Sequence, residues 1–205
     1  AKRDIPMNLC AILLAAGASR RFGPDNKLLA TLADGEPLAI AAARPLLQAI
    51  GNVIAVVRPG TPQLSMALAE LGCRVMEHAN ADAGMGSSLA AGIAAAIDCD
   101  GWLVALADMP QIQPQTVALV VDALRHGAAI ARPLYQGQPG HPVGFAAHYR
   151  DALMALHDDT GARNIVAAQR HLLQLIPCDD PAVLLDIDTP TDLAALQNGG
   201  LRPPA

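Results

Sequence analysis

Aromatic side chains are scarce in this sequence: one Trp, two Tyr and two Phe make up 2% of 205 residues. That argues against a nucleic-acid surface built on stacked rings and leaves the core to Ala, Leu, Val and Ile, which suit close packing of helices on a sheet. An excess of basic charge is missing too. Fourteen Lys and Arg face nineteen Asp and Glu, a formal charge of -5, so no broad cationic face grips nucleic acid and an anionic ligand must meet local cations. No apolar run reaches the roughly 18 residues of a membrane span, and Ala1 to Pro6 lead into a strand-length segment rather than a secretory signal. The expectation is a cytoplasmic protein with neither nucleic acid nor membrane as partner. Cys10, Cys73, Cys99 and Cys178 contain no C-x-x-C pair, which offers neither a zinc knuckle nor a redox dithiol.

What is present is an alternation of strands and helices. Leu9 to Ala15 is a continuous apolar run that ends in glycine, the pattern of a central parallel strand buried on both faces. Helices are expected over 37–50, 61–71, 87–97 and 114–126, and strands over 52–57, 74–76, 102–107 and 129–131, with Pro near helix starts and Gly after helix ends. A Gly- and Pro-rich segment from Pro133 to Gly144 interrupts this order. Further helices are expected near 148–156 and 163–169, strands over 172–176 and 183–187, then a last helix and a loose tail. The fold class is α/β: a Rossmann-like three-layer sandwich with a mostly parallel sheet. One domain spans 1–205, with an irregular subregion at about 133–163 beside the sheet.

Parallel sheets bind ligands at the carboxyl ends of their strands. After the first strand comes Ala16-Gly17-Ala18-Ser19-Arg20-Arg21-Phe22-Gly23-Pro24-Asp25-Asn26-Lys27, whose small residues let backbone amides approach an anion. Arg20, Arg21 and Lys27 could neutralise a triphosphate there, or the segment could be a tight turn with solvated bases. It matches neither G-x-G-x-x-G nor the P-loop pattern, because Gly23 is followed by Pro24-Asp25-Asn26. Asp108 closes one apolar strand, and Asp186 and Asp188 flank Ile187 at the end of another. Carboxylates at shared strand ends near phosphates suit Mg²⁺, with Asp108 and Asp188 the first choice; Asp188 could instead cap the helix that contains Pro190.

Taken in order, several short segments resemble the molybdenum cofactor nucleotidyltransferases, in particular their cytidylyltransferases. They are Leu14-Ala15-Ala16-Gly17 with Arg21 and Lys27, Gly84-Met85-Gly86-Ser87-Ser88, Ala107-Asp108-Met109-Pro110, Gly140-His141-Pro142-Val143, Asp159-Thr160-Gly161-Ala162-Arg163, and Asp186-Ile187-Asp188-Thr189-Pro190. The resemblance implies attack by molybdopterin's terminal phosphate on the α-phosphate of CTP, with release of pyrophosphate. It implies catalytic roles for Arg21, Lys27 and Asp108, and Mg²⁺ on Asp108 and Asp188. Leu14, Ala15, Ala16, Gly17, Arg21, Lys27, Gly84, Ser87 and Ser88 would bind the nucleotide, although the two serines could be helix caps. Gly140, His141, Pro142 and Arg163 would bind the acceptor. A recipient molybdoenzyme of the xanthine dehydrogenase type would be the downstream partner. Ala16, where guanylyl-transferring relatives tend to carry a second glycine, points to CTP. The readings left beside this one are a guanylyltransferase, a nucleotidyltransferase for sugar or alcohol phosphates, and a noncatalytic molybdopterin carrier.

Overall fold

A computed structural model of the chain describes residues 7–17, 22 and 26–199. Its first half follows the alternation legible in the sequence: β1 (Leu9–Ala15), α1 (Leu38–Ala49), β2 (Val53–Val57), α2 (Pro62–Leu71), β3 (Arg74–Glu77), α3 (Met85–Ala95), β4 (Gly101–Leu106) and α4 (Pro114–Arg125). The second half adds β5 (Ile130–Tyr135), β6 (Gln138–Pro139), β7 (Val143–Ala146), α5 (Arg150–Met154), α6 (Arg163–Ala168), β8 (Leu173–Pro177) and α7 (Pro190–Gln197).

These strands form a mixed, mostly parallel sheet flanked by helices, in the order β3-β2-β1-β4-β7-β5-β6, with β8 on the other edge of β5. β3, β2, β1 and β4 run parallel, and β7 runs against both β4 and β5. Alternation along β1 explains the layering. Leu9, Ala11, Leu13 and Ala15 face a core shared with α1, α2 and α4, whereas Cys10 and Ile12 face one shared with α3 and α5. Trp102 and Phe145 are completely buried in the second core.

Two expectations are corrected. The Pro-rich segment after Pro133 does not lie wholly beside the sheet, since β7 enters its middle between β4 and β5. Four residues give too short an alternation to stand out among glycines and prolines, and only the pairing with β4 makes Val143–Ala146 a strand. The apolar run from Val183 to Ile187 is not a strand either. It opens inside a 3-10 turn, Pro181–Leu184, capped by the Asp180 side chain, and then passes as extended chain beside β4's exit, where the Ile187 amide donates to the Asp108 carbonyl at 2.9 Å. Pro181 at the turn's start, with Asp180 accepting from the Ala182 amide at 3.0 Å, favours that turn over an extended strand.

Candidate active site

The carboxyl ends of β1, β2 and β4 open into a cavity of about 470 Å³. Its chemical centre is Lys27, in a 3-10 turn (Lys27–Leu29) begun by Asn26, whose side chain accepts from the Leu28 amide at 3.1 Å. The buried Lys27 ammonium donates to Asp108 at 2.9 Å and to Asp188 at 3.2 Å. Burial works to lower the lysine's pKa, but the adjoining Asp108 and Asp188 carboxylates outweigh it and hold the pKa above the ordinary value.

Asp108 stands just past β4, and the Ile187–Asp108 backbone bond brings Asp188 to it from far along the chain. Asp188 is not a helix cap. Thr189 begins α7, in a reciprocal box with Asp192, whose carboxylate also accepts from the Asp188 amide at 3.1 Å. Asp186 sits close enough for burial, then repulsion from Asp108 and Asp188, to raise its pKa. Two carboxylates gathered on one ammonium make a hard oxygen donor pair that a divalent cation can share. Among the described residues no set of three or more His, Cys, Asp or Glu converges for a metal, so substrate oxygens and water would complete the shell of an ion held by this pair.

Leu14, Ala16, Gly17, Gly84 and Ser88 line the same cavity. Ala15 does not; its side chain is in the core under β1. Ser87 is also off the wall, its hydroxyl 2.8 Å from Nε2 of His78, and neither serine caps α3, whose N-cap is Gly84, without a side-chain hydrogen bond. Gly84 and Gly86 have a packing reason to be glycine. Gly84 has φ +114°, and a Cβ there would lie 2.6 Å from the Asp159 carboxylate, while one on Gly86 would lie 2.6 Å from the Asp158 carbonyl. That close approach lets the Gly86 amide donate to Asp158 at 2.7 Å and brings Asp159 to the cavity. Arg20 and Arg21, the latter expected to be catalytic, lie outside the described residues.

A second cavity of about 350 Å³ adjoins the first, and both are walled by Leu14, Met85 and Leu106. His141 and Arg163 line it, but Gly140 and Pro142 do not. Gly140 instead supports this wall: its amide donates to Pro133 at 2.8 Å, its carbonyl accepts from Arg132, and a Cβ would meet Val183 at 2.5 Å. Pro142 follows a cis peptide bond. The Nδ1 of His141 is buried without a hydrogen-bond partner, and burial, reinforced by the Arg132 charge, pushes the ring's pKa down to about 4.

Three arginines were missed in the sequence. Arg58, immediately after β2, donates to the Ala16 carbonyl at 3.3 Å and pairs with Asp82 at 2.9 Å, which ties the glycine turn to the opposite wall. Its position at the carboxyl end of an apolar strand was the available signal, the same one that marked Asp108. Arg132 and Arg170 line the second cavity and carry no comparable mark.

The comparisons with known proteins agree with this fold. The family described as "MobA-like NTP transferase domain" matches residues 11–174. The chain is 32% identical over 195 residues to nicotine blue oxidoreductase of Paenarthrobacter nicotinovorans, covering 91% of this chain and 94% of that protein. It is 31% identical to a probable molybdenum cofactor guanylyltransferase of Synechococcus elongatus, covering 93% and 99%. Among solved structures, Rv0371c of Mycobacterium tuberculosis H37Rv superposes with a TM-score of 0.81 at 26% identity, covering 94% and 98%, and a second structure of that protein is a complex with manganese. With a matching family profile over most of its length, and with the fold and strand-end carboxylates in place, this chain belongs to the MobA-like NTP transferase family.

Proposed function

We propose that this chain transfers CMP from CTP to the terminal phosphate of molybdopterin, giving molybdopterin cytosine dinucleotide and pyrophosphate. The observation that carries the reading is the meeting of two cavities beside one Lys27–Asp108–Asp188 cluster, which suits two substrates and one charged reaction centre. The nucleotide would occupy the first cavity, its phosphates held by Lys27 and by Arg21 of the glycine turn. The acceptor would occupy the second, against His141 and Arg163. An acceptor phosphate oxygen attacks the α-phosphorus in line; the new O–P bond forms as the bond to the bridging pyrophosphate oxygen breaks, and pyrophosphate leaves with that electron pair. Lys27 neutralises charge as it gathers on the leaving group. Mg²⁺, held by Asp108 and Asp188, would supply Lewis-acid stabilisation of the phosphoryl oxygens. The whole chain would act as a single domain, with residues 133–163 furnishing much of the acceptor wall.

CTP is favoured by Ala16 in the cavity wall, where guanylyl-transferring relatives tend to have a second glycine. The 31% identity to a protein named as a guanylyltransferase favours GTP as the second reading. Pyrophosphate release, measured with each of the four nucleoside triphosphates, molybdopterin and Mg²⁺, separates them: turnover with CTP supports the proposal, and turnover with GTP alone overturns it. The relative named nicotine blue oxidoreductase adds one control, reduction of nicotine blue as dye by an added two-electron donor. Dye reduction without pyrophosphate release from any triphosphate would replace the transfer reading.

A further inference from the structure

The two cavities differ in charge. Among the described residues, the first carries Asp82, Asp108, Asp159 and Asp188 against Lys27 and Arg58, whereas the second has three guanidinium groups, those of Arg132, Arg163 and Arg170, and no carboxylate in its wall. Among the described residues, none of the three pairs with an acidic side chain. Arg132 is fixed in place, with Nε donating to Gly140 at 2.9 Å and Nη2 to Pro139 at 3.0 Å; those carbonyls satisfy hydrogen bonds but leave its charge uncompensated. Burial lowers the Arg132 pKa, and the Arg132 and Arg163 charges both reach His141, so these groups face a common space. Keeping a half-buried cation with no acid beside it costs desolvation energy that an arriving anion would offset. The apolar walls, Val104 and Phe145 among them, strengthen any such attraction by excluding water.

We infer that Arg132, Arg163 and Arg170 form a collar that binds a second anionic group on the acceptor, separate from the phosphate that reacts. The inference rests on the transfer reading only in calling the occupant the acceptor. In that reading the reacting phosphate must stand near Lys27 and Asp108, at the boundary walled by Leu14, Met85 and Leu106, and none of the three arginines lines the first cavity. One phosphate at that boundary leaves the collar to another charge. The ligand class is therefore a ring-sized body, seated against apolar walls, that carries two separated anionic groups, which suits a cavity of about 350 Å³.

Calorimetric titration of the full chain with naphthalene-1-sulfonate and with naphthalene-1,5-disulfonate tests this. The disulfonate is expected to bind about tenfold tighter, the scale of one added charge-assisted pair, and the gain should vanish in the double variant Arg163→Gln/Arg170→Gln. Both residues are exposed, so the double variant should fold, which its circular dichroism checks; Arg170→Gln alone should show a reduced gain if the pair does not. Equal affinities for the two probes, or a gain that survives the arginine changes but is lost in Lys27→Met, would overturn the inference. Failure to release pyrophosphate with any triphosphate would sink the transfer reading and leave this binding result standing.

Discussion

Lys27 is the residue on which the site turns, because one ammonium holds two carboxylates that would otherwise repel each other. Lys27→Met should lower the rate of nucleotidyl transfer roughly 10²- to 10³-fold, the cost of losing one preorganised charge at a transition state, as steady-state pyrophosphate release would show. A near-normal rate in that variant would exclude the lysine from the reaction. Asp108→Asn keeps the shape and removes a charge. Its transfer rate should fall by at least about 10²-fold and the concentration of Mg²⁺ or Mn²⁺ needed for half-activation should rise; unchanged transfer and metal response would dismiss Asp108 as a ligand. The same scale accounts for what was legible. Asp108 was found because it closes a short apolar strand and Lys27 because it is one of three cations in the loop after the first strand, while Asp188 was preferred to Asp186 only as the residue nearer an expected strand end. In the structure the Lys27 ammonium donates to Asp188 at 3.2 Å. Cys10 and Cys73, which belong to no C-x-x-C pair, are buried, and burial pushes them up to about 12 and about 11, far from a reactive thiolate.

At the scale of elements, α7 sets the position of Asp188. The Asp192 carboxylate accepts from the Thr189 amide at 2.7 Å and the Thr189 hydroxyl at 2.8 Å, and these hydrogen bonds hold its pKa below the usual carboxylate value. A depressed carboxylate pKa stabilises the fold at pH values above the unfolded pKa near 3.9, and that stability is lost as pH falls through the lower folded value. Asp192→Ala should cost about 1 kcal/mol at neutral pH, measured by urea unfolding, and should weaken metal activation because Asp188 loses its anchor. A variant as stable as the parent would show that the box contributes nothing. The N-terminus of α4 depends on a different carboxylate. Buried Asp180 accepts from the Gln113 amide at 2.9 Å and the Thr116 hydroxyl at 2.8 Å, which joins α4 to the segment that leads to Asp188. Asp180→Ala leaves those donors unsatisfied and should cost about 2–3 kcal/mol in the same measurement. Sequence could not find the Asp180 link, since 67 residues separate Asp180 from Gln113 and no local period connects them.

Across the whole molecule, His141 reports on the wall of the second cavity. Its ring stays neutral down to about pH 4, whereas an unfolded histidine takes up a proton near 6.5. Between those values the unfolded chain binds the extra proton, so this group's contribution makes the protein less stable as pH falls from 6.5 towards 4. His141→Asn should flatten that part of the stability curve, followed through the fluorescence of the single, fully buried Trp102. Identical curves for variant and parent would place the depressed pKa in doubt. The sequence by itself determined the α/β class, the first four strands in their parallel alternation with helices, and the strand-end placement of Asp108, because each rests on local apolar periodicity and on turn residues only a few positions apart. Tertiary structure decided that Val143–Ala146 enters the sheet, that Asp188 meets Asp108 through Ile187, and that three arginines line one cavity. Those outcomes depend on pairing and packing between segments distant along the chain, and no local pattern of residue types specifies which distant partner each will meet.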